Sequence, residues 1–280
     1  MTAEAITNIE TRTSAPAQST VRFIDTLAAE WLKLTSLRST YITLGLGFVL
    51  SLVATGLTAL AVGSTFDGWS ETQQATFEPI TFAMVGNVIA LIVVTVFGVL
   101  TVSSEYSTGM IRLSMIATPR RSRVLWAKLV LVFGITLAIG IATVAGMFLV
   151  GQAVLSQYDM PTASLGDADA LKMVLGLGAA TPLFPVIGFT LGIILRSTAG
   201  AITAALGLLW LPLVFKDLLP LWAQENILSL LPGSAVDSFT ITHIVQSSTD
   251  SAPAVGVALV VAWLAGFVGV AQLLLHRRDA

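Results

Sequence analysis

The sequence predicts an all-α integral membrane protein with six transmembrane helices and two further helices that do not span. Three observations carry this. Of the 280 residues, 55% are hydrophobic and 11% charged, whereas soluble domains carry about 25% charged residues. The mean hydropathy is +0.87. The apolar residues fall into runs of about 20 or more, enough at a 1.5 Å rise to cross a ~30 Å hydrocarbon layer. A water-soluble core has no use for this much apolar surface, so lipid is the expected solvent.

Residues 1–20 are read as a flexible cytoplasmic tail, residues 21–40 as an amphipathic interfacial helix and residues 41–280 as the six-helix domain. Glu4 and Glu10 sit where a secretory signal would be basic and then apolar, so no cleaved signal is expected.

In Val21 to Leu34 (VRFIDTLAAEWLKL), Val21, Phe23, Ile24, Leu27, Ala28, Trp31, Leu32 and Leu34 fill one half of a helical wheel and Arg22, Asp25, Thr26, Glu30 and Lys33 the other. Such a helix lies in the interface with its charges toward water; the alternative is a simple extension of the first span. The periodicity fails at Thr35 to Ser39, where a bend is placed.

The spans are expected at Tyr41–Gly63, Ile80–Val102, Val124–Gly151, Leu171–Leu195, Thr198–Leu219 and Ala254–Leu275. The fourth and fifth are parted only by Arg196 and Ser197, a tight hairpin. Pro182 and Pro185 should kink the fourth, and Gly188-F-T-L-Gly192 should let two helices approach closely. With the N-terminus inside, only Lys172 and Lys216 of the fourteen basic residues fall outside. That bias places both termini in the cytoplasm.

Between the second and third spans lies Ser103 to Arg123, SSEYSTGMIRLSMIATPRRSR. Its middle is apolar nearly all round a helix, bracketed by Gly109 and Pro119, and too short to cross a bilayer. A helix apolar all round must be covered all round. The cover is either this protein's own bundle or a partner protein. A short rigid helix wedged between two spans moves both when it moves.

The membrane-depth polar residues are neutral. Proton relays and ion-coupled carriers need buried ionisable groups, and none lies near the middle of a span, so energy is expected to arrive from outside the bundle. A threonine can satisfy its hydroxyl on its own helix backbone, so most of the threonines are read as structural. Asn87 is either packing glue or a contact on a substrate path; Asn87, Thr95 and Thr181 are the candidate path residues. Pro220 to Pro253 reads as two short helices around Pro232-Gly233, and the lone His243 as a surface residue.

The succession of an apolar span, S-E-Y-S-T-G-M-I-R, a short helix, P-R-R and an apolar span with an early lysine resembles the permease subunits of bacterial ABC-2-type ATP-binding-cassette transporters. E-W-L-K-L-T-S-L-R-S-T at Glu30 to Thr40 is similar to the entry helix of actinobacterial members. The resemblance implies an exporter subunit in the cytoplasmic (plasma) membrane. Gly109 to Thr118 would be the coupling helix, with Gly109, Met110, Ile111, Leu113 and Met115 docking on a separate ATPase and Glu105 and Arg112 as polar anchors. Lys128 would sit at the cytoplasmic mouth of the third span. It also implies two ATPase copies, which hold the ATP and Mg, and a second permease chain, the same or related. Membrane lipid is a further partner; nucleic acid is not expected.

No G-x-x-x-x-G-K-[ST] occurs, so this chain would bind no ATP by that route. It would bind no cofactor and no metal, and would have no catalytic site. With no cysteine and no acid, His or metal cluster at membrane depth, an intramembrane enzyme is disfavoured. A stand-alone carrier or channel, and a sensor or scaffold that partners an ATPase without moving cargo, are the remaining alternatives. A cavity lined by Phe, Leu, Met and Thr would suit an amphipathic, drug-like or lipid-like cargo.

Overall fold

The computed structural model describes residues 22–108, 121–240 and 252–277. Every regular element among them is helical. In chain order these are α1 (Phe23–Ser36), α2 (Arg38–Gly63), α3 (Glu71–Ala75), α4 (Pro79–Phe82), α5 (Asn87–Thr108) and α6 (Arg121–Leu155). Then come α7 (Ala168–Ala180), α8 (Leu183–Leu195), α9 (Thr198–Phe215), α10 (Leu221–Asn226), α11 (Pro232–Thr240) and α12 (Pro253–Arg277).

The packing is that of a protein in lipid. Helix α2 buries a stripe of small residues, Gly47, Ser51, Thr55, Ala59 and Gly63, four apart on one face. Its large residues, Ile42, Leu46, Val53 and Leu57 among them, are exposed. In water this arrangement would be inside out. In a bilayer lipid covers the large side chains, and small residues let backbones approach closely. Five segments are long and apolar enough to cross a membrane: Arg38–Gly63, Asn87–Glu105, Ser122–Tyr158, Ala168–Leu195 and Pro253–Leu274. The chain is therefore a multi-pass, all-α membrane protein.

The first, third and sixth expected spans match α2, α6 and α12 within a few residues. The second does not begin at Ile80. The chain makes the short helix α4, turns through residues 83–86 and opens α5 only at Asn87. Thr55 holds this turn, donating to the Ala83 carbonyl (3.4 Å) and accepting from the Gly86 N–H (3.3 Å). The fourth expected span is two helices, α7 and α8, broken at Thr181-Pro182. Proline has no N–H to continue the ladder, and Pro185 falls in the first turn of α8, where a missing N–H is free of cost. The fifth is the 18-residue helix α9, which ends at Phe215, short of the expected Leu219. The hairpin before it is as expected. Arg196 adopts a left-handed conformation (φ 51°) to end α8, and the Ser197 hydroxyl caps α9 by accepting from Gly200 N–H.

The centre of the bundle is the crossing of α5 and α8. A side chain at Gly188 would sit 2.7 Å from the Thr95 carbonyl, one at Gly192 would meet Val102 at 2.5 Å, and one at Gly98 would collide with the Pro185 backbone. The G-x-x-x-G motif thus marks a close helix contact, with Gly98 as its counterpart. Around it Val102, Leu125, Val132, Phe189, Ile193 and Ala271 form a buried cluster from α5, α6, α8 and α12. In the long segment before α12, the expected pair of short helices is α10 and α11, and Trp263 Nε1 on α12 donates to the Leu230 carbonyl between them (2.8 Å).

Candidate functional site

Two charged groups were singled out at the ends of the second and third spans, Glu105 and Lys128. They meet: Lys128 Nζ donates to Glu105 Oε1 at 2.7 Å. Glu105 stands in the last turn of α5, where the helix dipole opposes a carboxylate, so it needs cations close by. Lys128 supplies one from the second turn of α6. Both side chains are about nine-tenths buried.

Helix α1 completes the site. Glu30 Oε2 lies 2.6 Å from Lys128 Nζ, an ion-pair contact whose angles do not make a hydrogen bond. Lys33 Nζ donates to Glu30 Oε1 at 2.7 Å and lies 3.5 Å from Glu105 Oε1. Two carboxylates and two ammoniums thus alternate in space, and their formal charges cancel. Burial of this kind is tolerated only when every ion has a counter-ion near it. Burial alone would lower the pKa of Lys33. The hydrogen bond to Glu30 and the negative charges of Glu105 and Glu30 outweigh it and raise the ammonium above its ordinary value.

The orientation of α1 differs from expectation. Phe23, Ile24, Trp31 and Leu32 are exposed, as an apolar face in lipid would be, but Thr26 and Glu30 are buried against the protein and Lys33 is half-buried. Thr26 and Glu30 face the bundle together with Leu34, whereas Arg22 and Asp25 are exposed. The inward face thus cuts across the wheel's polar and apolar halves. The signal for the inward face was present in the spacing: Thr26, Glu30 and Lys33 lie on one side of the helix, and Glu105 and Lys128 were the unmatched charges at the neighbouring span ends. The chain breaks between α1 and α2 at Leu37, whose backbone is extended, within the expected bend.

Beside the ion cluster lies a cavity of about 430 Å³ between α1, α2 and α5. Glu30, Lys33, Glu105 and Lys128 form its charged end, and Leu34, Leu37, Phe97 and Leu100 its apolar wall.

The expected docking residues Gly109, Met110, Ile111, Arg112, Leu113 and Met115, together with the tail and His243, lie outside the described residues. Of the expected path residues, Asn87 is the first residue of α5, at a helix start rather than within a span. Thr95 is buried at the α5–α8 crossing and donates to the Leu91 carbonyl (2.5 Å). Thr181 is buried at the α7–α8 break and donates to Leu177 (2.9 Å). The structure does not bring the three together around either of these features, and both hydroxyls are bonded to their own helices.

No protein-family model, curated protein or solved structure matches the chain.

Proposed function

We propose that this chain is the membrane-spanning permease subunit of an ATP-driven, ABC-2-type exporter in a bacterial cytoplasmic membrane, with six spans, α1 in the plane of the interface and both termini cytoplasmic. The observation that carries the reading is the ion cluster at the root of residues 109–120. It ties α1 to the end of α5 and the beginning of α6, the two helices that flank this segment. A push on the segment is transmitted to three helices together, because separating any pair would leave a buried charge uncompensated.

In this reading Gly109, Met110, Ile111, Arg112, Leu113 and Met115 dock on a separate ATPase, and Glu105 carries the movement into the bundle. A partner that closes on nucleotide can bias the bundle only if it contacts its two arrangements differently. Two copies of the ATPase and a second permease chain complete the unit, and the cargo is amphipathic.

Gentle detergent extraction from the native membrane, followed by mass spectrometry of the co-purifying proteins, tests the proposal. An ATPase carrying a phosphate-binding loop, in about equal amount, supports it. Met110→Asp and Leu113→Asp place a charge in the docking face and should abolish that association while the protein still inserts. Recovery of the chain alone favours a stand-alone carrier. Association with an ATPase without movement of any amphiphile favours a sensor or scaffold.

A further inference from the structure

We infer that a groove on the segment joining α2 to α5, at the end of the bundle opposite the ion cluster, binds the quaternary ammonium head of a cationic amphiphile. The inference rests on three aromatic rings and one unpartnered carboxylate, and not on the transport reading.

Trp69, Phe77 and Phe82 line this groove of about 420 Å³. The planes of Trp69 and Phe77 stand at 74° with centroids 6.1 Å apart, and those of Phe77 and Phe82 at 49° and 5.4 Å. Rings inclined in this way wall a recess rather than stack flat. The recess is built in advance. Gln74 Nε2 donates to the carbonyls of Phe66 (2.9 Å) and Trp69 (3.4 Å) and so pins the turn that carries Trp69. Phe77 and Phe82 pack against the buried Ala59, Leu155 and Met160. A cation beside aromatic faces is attracted by their quadrupoles, and walls fixed before binding lose little freedom when it arrives.

The charge of the ligand follows from Glu78. It lines the same groove and is half-buried. It stands just before α4 without capping it, and among the described residues its carboxylate makes no hydrogen bond and no ion pair. Residues 64–86 hold two further acids, Asp67 and Glu71, and no Lys, Arg or His. A net cation answers this charge, whereas a zwitterion would bring an anion against it.

The form of the head follows from the polar groups on offer. The exposed Gln73 turns its oxygen to the Ser70 N–H and hydroxyl, and the Thr76 hydroxyl donates within its own turn, to Thr72. Three rings therefore face the ligand for one free carboxylate and the hydroxyls of Thr76 and Thr81. A primary ammonium has three N–H groups to satisfy and holds its water strongly. A trimethylammonium has none and leaves water more readily, which suits aromatic walls. The site also has a place for the alkyl chain. It lies where one segment long enough to cross the membrane ends, at Gly63, and the next begins, at Asn87. The exposed Val85 at the groove and Val88 beyond it lead toward the lipid.

The test is titration calorimetry of the full-length chain in dodecyl maltoside, with the protein-free micelle as blank and no ATPase present. Octyltrimethylammonium, octylammonium and octylphosphocholine are added in turn. The first should bind at one site per chain, roughly tenfold tighter than either of the others. Glu78→Gln and Trp69→Leu should each weaken it roughly tenfold. Glu78 makes no bond within the fold, so Glu78→Gln remains informative if Trp69→Leu fails to fold, and the comparison with octylammonium then reads the rings. Equal affinity for octylphosphocholine overturns the net-cation assignment in favour of a lipid head. Equal affinity for octylammonium reduces the site to an ion pair and overturns the role of the rings. Affinity unchanged by either variant, or no heat beyond the blank, overturns the proposal and leaves the rings as an interfacial belt. Loss of ATPase co-purification would leave every one of these readouts in place.

Discussion

The two ends of the bundle are held by different chemistry. At the end where α5 finishes and α6 begins, Glu30, Lys33, Glu105 and Lys128 bind one another through charge. At the opposite end the ties are neutral. Gln152, late in α6, donates to the Pro79 carbonyl (2.9 Å) and accepts from the Ala163 N–H (2.8 Å), and Thr55 holds the turn before α5. Phe66, Trp69, Phe77 and Phe82 pack edge-on and tilted beside it. A neutral amide binds by geometry and fails when one atom is removed. An ion cluster binds by balance, and fails when the sum of its charges changes.

The largest effect that separates the two is expected from Lys128→Met. It removes one of the cluster's two ammoniums and leaves its two buried carboxylates, and should destabilise the protein by about 3–5 kcal/mol, read as thermal unfolding in detergent. Replacing Glu30, Lys33, Glu105 and Lys128 together by leucine and methionine should recover most of that loss, because none of the cluster's four charges remains. If the quadruple variant is as unstable as the single one, packing rather than charge holds this end.

Gln152→Leu should cost less, about 1–3 kcal/mol, since it strands the Pro79 carbonyl and the Ala163 N–H. Thr55→Val should cost about 1 kcal/mol, its two hydrogen bonds being long. Neither loss should change with pH, and a pH-dependent loss in Gln152→Leu would place a titrating group at the neutral end.

The smallest effect is a titration. The folded-state pKa of Lys33 is raised, so its contribution is fully present below the unfolded value and is lost as pH rises through the folded one. Unfolding followed by Trp fluorescence should therefore show an alkaline decline that begins above the ordinary lysine pKa. Lys33→Arg keeps its charge throughout this range and should remove the decline. A decline that persists in Lys33→Arg would assign it to another group.

Much of the fold was legible. Runs of apolar residues located α2, α6 and α12, the two prolines located the break between α7 and α8, and Arg196-Ser197 located the hairpin before α9. The start of α5 was not legible, because residues 80–86 are as apolar as a span. What turns the chain there is a tertiary contact, Thr55 reaching into a bend that holds Gly86. At the site, Glu105 and Lys128 were visible as charges at the edge of apolar runs. Glu30 and Lys33 were placed on a water-facing half instead. A helical wheel separates polar from apolar faces and carries no information about the surrounding solvent. When the apolar side faces lipid, the polar side can face protein.

The break at Thr181-Pro182 has a mechanical consequence. Neither Pro182 nor Pro185 can donate to the helix ladder, so the carbonyls of Gly178 and Thr181 lose their usual partners and no continuous hydrogen-bonded rod runs through this span. The upstream half is keyed to α6, where a side chain at Gly178 would press on the Ile141 backbone, and the downstream half is keyed to α5 through Gly188 and Gly192. The span is therefore two hydrogen-bonded rods in series: α7 seats on α6, while α8 packs on α5, α6 and α12 together through Val186, Phe189 and Ile193.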